Sequence, residues 1–171
     1  DGTDFEKNPM VINPLINLYY IIYSQEIMAY KTYYIIKNKS KYMGNPDNII
    51  CRSLWERRVC KYLDENTNII RWGSEELIIP YYSPIDKKTH KYFPDFIAEI
   101  QNNDSEIRTI VIEVKPKKQT KPPKKPKRQT KNYINECVIF TINEAKWKSA
   151  EQFCKKKKWE FIILTETDIL P

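Results

Sequence analysis

Residues 107–115 read Ile-Arg-Thr-Ile-Val-Ile-Glu-Val-Lys. The stretch is rich in β-branched side chains, and at its centre apolar residues fall on both faces. A strand of that kind is stable only with strands on either side and cover above and below it. The chain is therefore expected to form a sheet with this strand at its middle. Because strand side chains alternate, Glu113 and Lys115 share one face at the strand's end.

The flanking sequence supplies the cover. In 53–65, with side chains about 100° apart, Trp55, Val59, Cys60, Tyr62 and Leu63 gather on one side of a helix, opposite Arg57, Arg58, Lys61, Asp64 and Glu65. Glu56 falls inside the apolar stripe, where an unpaired carboxylate is costly. A capping box, Ser53-x-x-Glu56, offers one explanation, with the glutamate reaching back to the Ser53 N–H. Strands are predicted at 69–72, 76–82 and 91–100, with a turn at 83–86, as an antiparallel meander into the central strand. Downstream, the pattern predicts a short helix at 128–136, a strand at 138–142 and a longer helix from an Asn143 cap to about residue 157. That helix would turn Ala145, Trp147, Ala150, Phe153 and Cys154 inward. A strand at 159–164 and a last turn capped by Thr165-x-x-Asp168 complete the order. The class is α/β, with α+β as the alternative: a mixed central sheet flanked by helices.

At 171 residues the chain suits one domain. Residues 1–27 mix acids, Asn and bulky apolar residues without a period and read as an N-terminal arm. The domain is expected over 28–171, with Met28 a candidate natural start. No apolar run approaches the roughly 20 residues of a membrane span, and the acids at Asp1, Asp4 and Glu6 do not suit a signal peptide. The net charge is +7. Eight positive residues, one more than that excess, lie in 116–131 without a single acid: Lys117, Lys118, Lys121, Lys124, Lys125, Lys127, Arg128 and Lys131. Pro116, Pro122, Pro123 and Pro126 make this ribbon extended and semi-rigid. A localised positive ribbon on a near-neutral body suits a polyanion such as DNA, although such a segment also serves as a solubilising loop. Cys51, Cys60, Cys137 and Cys154 form no C-x-x-C pair, and His90 is the only histidine. Structural zinc is not expected on that count, and the thiols read as reduced. The absence of G-x-S-x-G and of a Gly-rich phosphate loop argues against serine-hydrolase, Walker and Rossmann chemistry.

What remains is a set of carboxylates and a lysine. Asp95 follows Pro94 in the strand predicted before 107–115, and Pro94 disrupts pairing there, turning the aspartate towards its neighbour. Two carboxylates on adjacent strands, with a lysine one pleat away, are what phosphodiester hydrolysis requires. The carboxylates hold Mg²⁺ against the scissile phosphate, and the lysine orients the attacking water. Taken singly, each has a plainer reading: Glu113 and Lys115 as a cross-strand ion pair, Asp95 as a turn former, Glu56 as a cap.

The order helix glutamate, P-D, E-x-K resembles the PD-(D/E)XK, or restriction-endonuclease-like, nucleases. More specifically, Arg52-Ser53-Leu54-Trp55-Glu56, Trp72-Gly73-Ser74-Glu75, Ile79-Pro80-Tyr81, Lys91-Tyr92-Phe93-Pro94-Asp95, Ile112-Glu113-Val114-Lys115-Pro116-Lys117-Lys118, Pro122-Pro123, Lys146-Trp147-Lys148 and Ile163-Leu164-Thr165-Glu166 are similar to the head-completion nucleases of tailed bacteriophages. The resemblance implies a Mg²⁺-dependent deoxyribonuclease, with Mn²⁺ as a substitute, that processes packaged DNA ends before tail joining. Asp95 and Glu113 would be metal ligands, Glu56 the helix carboxylate at the metal, and Lys115 the water-positioning lysine. It also implies DNA and phage head or neck proteins as partners, and a place in the host cytoplasm during assembly or on the virion. Gln129-x-x-x-Tyr133 is similar to a short motif of exonuclease branches.

Two other functions fit parts of the pattern. One is a head or neck component that binds DNA without turnover, which the intact Asp95, Glu113 and Lys115 argue against. The other is junction-resolving or transposon-end cleavage, which the same carboxylates would serve.

Overall fold

A computed structural model describes residues 31–102 and 105–169. The predicted arm, 1–27, and the Met28 boundary lie outside the described residues. A short ladder of β1 (Thr32–Tyr33) and β2 (Ile50–Cys51) leads into α1 (Leu54–Glu65), then β3 (Ile69–Ser74), β4 (Ile79–Tyr82), β5 (Thr89–Tyr92), β6 (Phe96–Gln101) and β7 (Ile107–Val114). After the basic ribbon follow α2 (Lys131–Lys157), β8 (Glu160–Leu164) and a final turn, α3 (Glu166–Ile169). The main sheet has the order β3-β6-β7-β8, antiparallel except for the parallel β7/β8 pair. β7 lies inside the sheet, as its two-sided apolar pattern requires, and α2 makes the crossover that a parallel pair needs.

Each face of the sheet has its own core. On one, Val59, Cys60 and Leu63 of α1 pack with Trp72, Phe96, Ala98, Ile112 and Val114, and with Tyr34, Ile36 and Ile49 from the N-terminal segment. On the other, α2 delivers Ala150, with Ala145 and Phe153 beside it, against Ile79, Tyr81 and Tyr92. The architecture is the mixed sheet between helices expected from the sequence.

Several local expectations are corrected. The stretch 91–100 is two strands in two sheets: β5 pairs with β4 in a separate hairpin, and β6 enters the main sheet. Pro94, fully buried between them, has no N–H to continue a ladder. The meander is interrupted accordingly, since β3 pairs with β6 and not with the hairpin that follows it. The strand predicted at 76–82 begins only at Ile79, after Glu75 turns the backbone with φ of +57°. The predicted helix, strand and second helix over 128–157 are one helix of 27 residues, capped by Thr130, whose hydroxyl accepts the Tyr133 N–H. No Gly or Pro interrupts that stretch. The β-branched residues of 138–142 carry only a weak local preference, which a continuing helix overrides. Asn143, read as a cap, is buried in mid-helix.

On α1, Tyr62 is exposed and Asp64, assigned to the polar face, is fully buried. Asp64 accepts the Lys37 and Asn38 backbone N–H groups at 2.8 and 2.9 Å and the Tyr34 hydroxyl at 3.0 Å. It thereby ties the segment before α1 onto that helix. Among the described residues no helix is long and apolar enough to cross a membrane.

Candidate active site

The P-D and E-x-K words meet at one end of the main sheet. Phe96 pairs with Ile112 in the antiparallel β6/β7 ladder, so Asp95, one step beyond, stands opposite Glu113. Its backbone is held as well, since the Asp95 carbonyl accepts the Glu75 N–H at 3.1 Å. Asp95 Oδ2 accepts the Val114 N–H at 2.7 Å, which locks the carboxylate onto β7. Glu113, 3% exposed, accepts Lys115 Nζ on Oε1 at 2.9 Å and the Tyr92 hydroxyl on Oε2 at 2.6 Å. Lys115 follows β7 with its N–H on the Leu164 carbonyl, so β8 fixes the start of the basic ribbon.

The electrostatics are those of a crowded acidic pair. Burial, and then the neighbouring Glu113 carboxylate, push the Asp95 carboxyl up to about 8, against the lowering effect of Lys115 and the Val114 N–H. Burial by itself would lower the Lys115 ammonium, but Glu113 and Asp95 outweigh it and hold the group above the ordinary lysine range. At neutral pH the lysine is the positive charge of the site. The Tyr92 hydroxyl is raised by burial and by Glu113, and so stays a neutral donor.

Glu56 sits at the start of α1 and is raised by burial, opposed by the Arg52 N–H, Ser53 and Lys115. The Ser53/Glu56 box is formed, with the glutamate reaching back one residue further than expected. Ser53 Oγ accepts the Glu56 N–H at 3.1 Å and donates to Oε1, while Oε2 accepts the Arg52 N–H, not that of Ser53, at 2.7 Å. The Arg52 guanidinium also reaches Glu75 at 3.1 Å, joining the helix start to the end of β3. Glu56 thus faces the same end of the sheet with its carboxylate engaged by the cap. Among the described residues no three His, Cys, Asp or Glu side chains are gathered closely enough to hold an ion. Asp95 and Glu113 stand opposite each other across β6 and β7, while Glu56 is engaged by its cap. Buried Glu113 and half-buried Asp95, whose carboxyl Glu113 helps to raise, offer the hard oxygen donors that Mg²⁺ or Mn²⁺ prefers, and a divalent cation would favour the ionised form of Asp95.

All eight basic side chains of the ribbon, Lys117, Lys118, Lys121, Lys124, Lys125, Lys127, Arg128 and Lys131, are exposed. Lys118 pairs with Glu136 at 3.0 Å, and the Lys117 backbone N–H is held by Glu166 at 2.7 Å. Residues 117–120 form a 3-10 turn, and the following segment lies along the first half of α2. His90 lies in β5, bonded to Asp86 at 2.7 Å and packed on Tyr81. Tyr133 interacts with Cys137. The residue missed from the sequence is Tyr92. It belongs to a different sheet from Glu113, and no periodicity within either strand links the two.

A mixed sheet whose central strand ends in Glu-Val-Lys, opposite an aspartate that follows a buried proline, is the scaffold of a restriction-endonuclease-like nuclease. Residues 66–166 match the family model for the N-terminal part of TnsA-like endonucleases. The chain is also 42% identical over 143 residues to the head completion nuclease of Enterobacteria phage T4, covering 81% of this chain and 93% of that relative. It belongs to the TnsA-like endonuclease family. The family-model match contains Asp95, Glu113 and Lys115.

Proposed function

We propose that the protein is a Mg²⁺-dependent DNA endonuclease that processes packaged DNA ends during phage head completion. The observation that carries this reading is the juxtaposition of Asp95, Glu113 and Lys115 at one sheet end. Asp95 and Glu113 would hold the ion. A divalent cation bound there supplies Lewis-acid stabilisation of charge on the scissile phosphate. Lys115, kept charged and aimed by Glu113, orients the attacking water and stabilises the developing negative charge. Glu113 is in turn fixed by Tyr92. Glu56, bound into its cap, adds negative field from the helix start and stiffens that wall of the site. The ribbon of 116–131, which directly follows Lys115 and exposes its eight basic side chains, holds the DNA backbone.

The extent of likeness to a head completion nuclease favours this role over junction or transposon-end cleavage by the same groups. On this reading the protein acts in the host cytoplasm during assembly or on the virion, with head or neck proteins as partners. The test is cleavage of linear, circular and branched DNA side by side, in Mg²⁺ and in EDTA. Cutting in Mg²⁺ and none in EDTA is expected; undiminished cutting in EDTA would end the metal assignment.

A further inference from the structure

The basic ribbon does not stand away from the protein. It borders an open groove of about 470 Å³ against the first half of α2, within the roughly 300–1,000 Å³ typical of small-ligand clefts. The groove is chemically two-sided. Pro122, Pro123, Ile139 and Phe140 line it with apolar surface, while Lys117, Lys121 and Lys124 supply positive charge. Its one acid, Glu136, is already matched by Lys118. Ile139 is 51% exposed, so this half of α2 offers apolar surface to solvent as well as to the groove.

A duplex backbone would use the lysines and leave the apolar lining without a function, because paired bases are stacked out of reach. An unpaired nucleotide uses both: its base lies on aromatic or proline surface, and its flanking phosphates meet the lysines. The start of the groove is also fixed relative to the site, since the Lys115 and Lys117 N–H groups are held by Leu164 and Glu166. A strand leaving Lys115 can follow the chain directly into it.

We propose that this groove binds an unpaired nucleotide of the DNA, its base against Phe140 and the Pro122-Pro123 pair and its phosphates on Lys121 and Lys124. The preferred substrate is then DNA with a single-stranded tail or splayed end and not uninterrupted duplex. The inference rests on the nuclease reading for the identity of the polyanion, and the groove supplies the strandedness.

The test is fluorescence anisotropy in EDTA with the full chain and three probes: a blunt duplex, the same duplex with a thymidine tail, and the same duplex with an abasic tail of equal length. The tailed duplex should bind roughly 5- to 160-fold more tightly than the abasic one, the span that stacking of one base provides. Phe140→Leu should erase most of that difference while leaving blunt-duplex affinity unchanged. Ile139→Gln, at a half-exposed position, is the second variant should the first not fold, and should reduce the difference in the same direction. Equal affinity for tailed and abasic DNA overturns the proposal. So does displacement of the thymidine tail by a poly-glutamate peptide at lower concentration than by oligothymidine, which would make the groove a peptide site. Mg²⁺-dependent cleavage without a base-dependent tail preference would refute the groove alone, whereas tail preference in a protein that cuts nothing in Mg²⁺ would refute the nuclease reading alone.

Discussion

The Tyr92 hydroxyl donates to Glu113 Oε2 at 2.6 Å, joining the β4/β5 hairpin to the central strand of a different sheet. Both residues are 3% exposed. With Lys115 on Oε1, the bond holds the Glu113 carboxylate in one orientation. Tyr92→Phe keeps the ring and removes the donor. Loss of such an orienting partner typically costs about 10- to 100-fold in metal affinity or activity. The Mg²⁺ concentration for half-maximal cleavage should rise by at least about tenfold, and the protein should lose the roughly 1–3 kcal/mol that a donor to a buried carboxylate supplies. An unaltered Mg²⁺ dependence would remove Tyr92 from the site.

Asp95→Asn, Glu113→Gln and Lys115→Gln should each lower single-turnover cleavage by at least about 100-fold. Asp95→Asn retains an oxygen for the Val114 N–H and, because the Asp95 carboxyl is pushed up to about 8, hardly changes the charge of the metal-free site at neutral pH, so it should fold about as well as the parent in EDTA. Circular dichroism melts alongside the cleavage rates check both halves. Parent-like rates in the two carboxylate variants would show that the catalytic roles lie elsewhere.

Asp64 governs acid stability outside the site. Burial would raise its carboxyl, but the Lys37 and Asn38 N–H groups, the Asn38 side chain and the Tyr34 hydroxyl outweigh burial and hold it below the usual range. A depressed carboxyl adds stability that is fully present above its unfolded value near pH 4 and is lost as pH falls through the lower folded value. Asp64→Asn turns an amide N–H₂ towards these donors and should cost about 2–4 kcal/mol at pH 7. The gap from the parent should narrow below about pH 4. Equal melting temperatures at pH 7 would refute the role given to Asp64.

Charge in the ribbon should set DNA affinity and not the chemical step. Each phosphate contact contributes about −0.9 to the slope of log affinity against log salt on duplex DNA. Replacing Lys121, Lys124, Lys125 and Lys127 together by Gln should flatten that slope by roughly 2 to 4, with the cleavage rate at saturating enzyme near the parent's. Binding in Ca²⁺ across a salt series, followed by single turnovers in Mg²⁺, separates the two. An unchanged slope would reduce the ribbon to a solvated loop.

A chain beginning at Met28 should retain cleavage, because every group assigned to the chemistry lies between Glu56 and Lys115. Its rate on the best substrate should stay within a few-fold of the parent's. A folded but inactive product would place a required group in 1–27.

Local pattern carried a great deal of this protein. The two-sided apolar run of 107–115 specified an inner strand. Alternation within it put Glu113 beside Lys115, and Ser53 with Glu56 marked the start of α1. These features depend on neighbours within a few residues, which is the range over which propensity and period operate. Tertiary structure decided the features that compare distant alternatives. Pro94 breaks a ladder, but only packing sends β5 and β6 into different sheets. The 138–142 run is β-branched, yet the continuing α2 gives its backbone groups partners without a break. Asp64 lies on the polar side of α1 by angle and is buried because the chain from Tyr34 to Asn38 brings it four hydrogen-bond donors. Tyr92 reaches Glu113, and Glu56 is turned to its cap and not gathered with the Asp95/Glu113 pair, for the same reason: the free energy of a buried polar group is set by whichever partner the fold brings within hydrogen-bonding distance, and that partner can lie anywhere in the sequence.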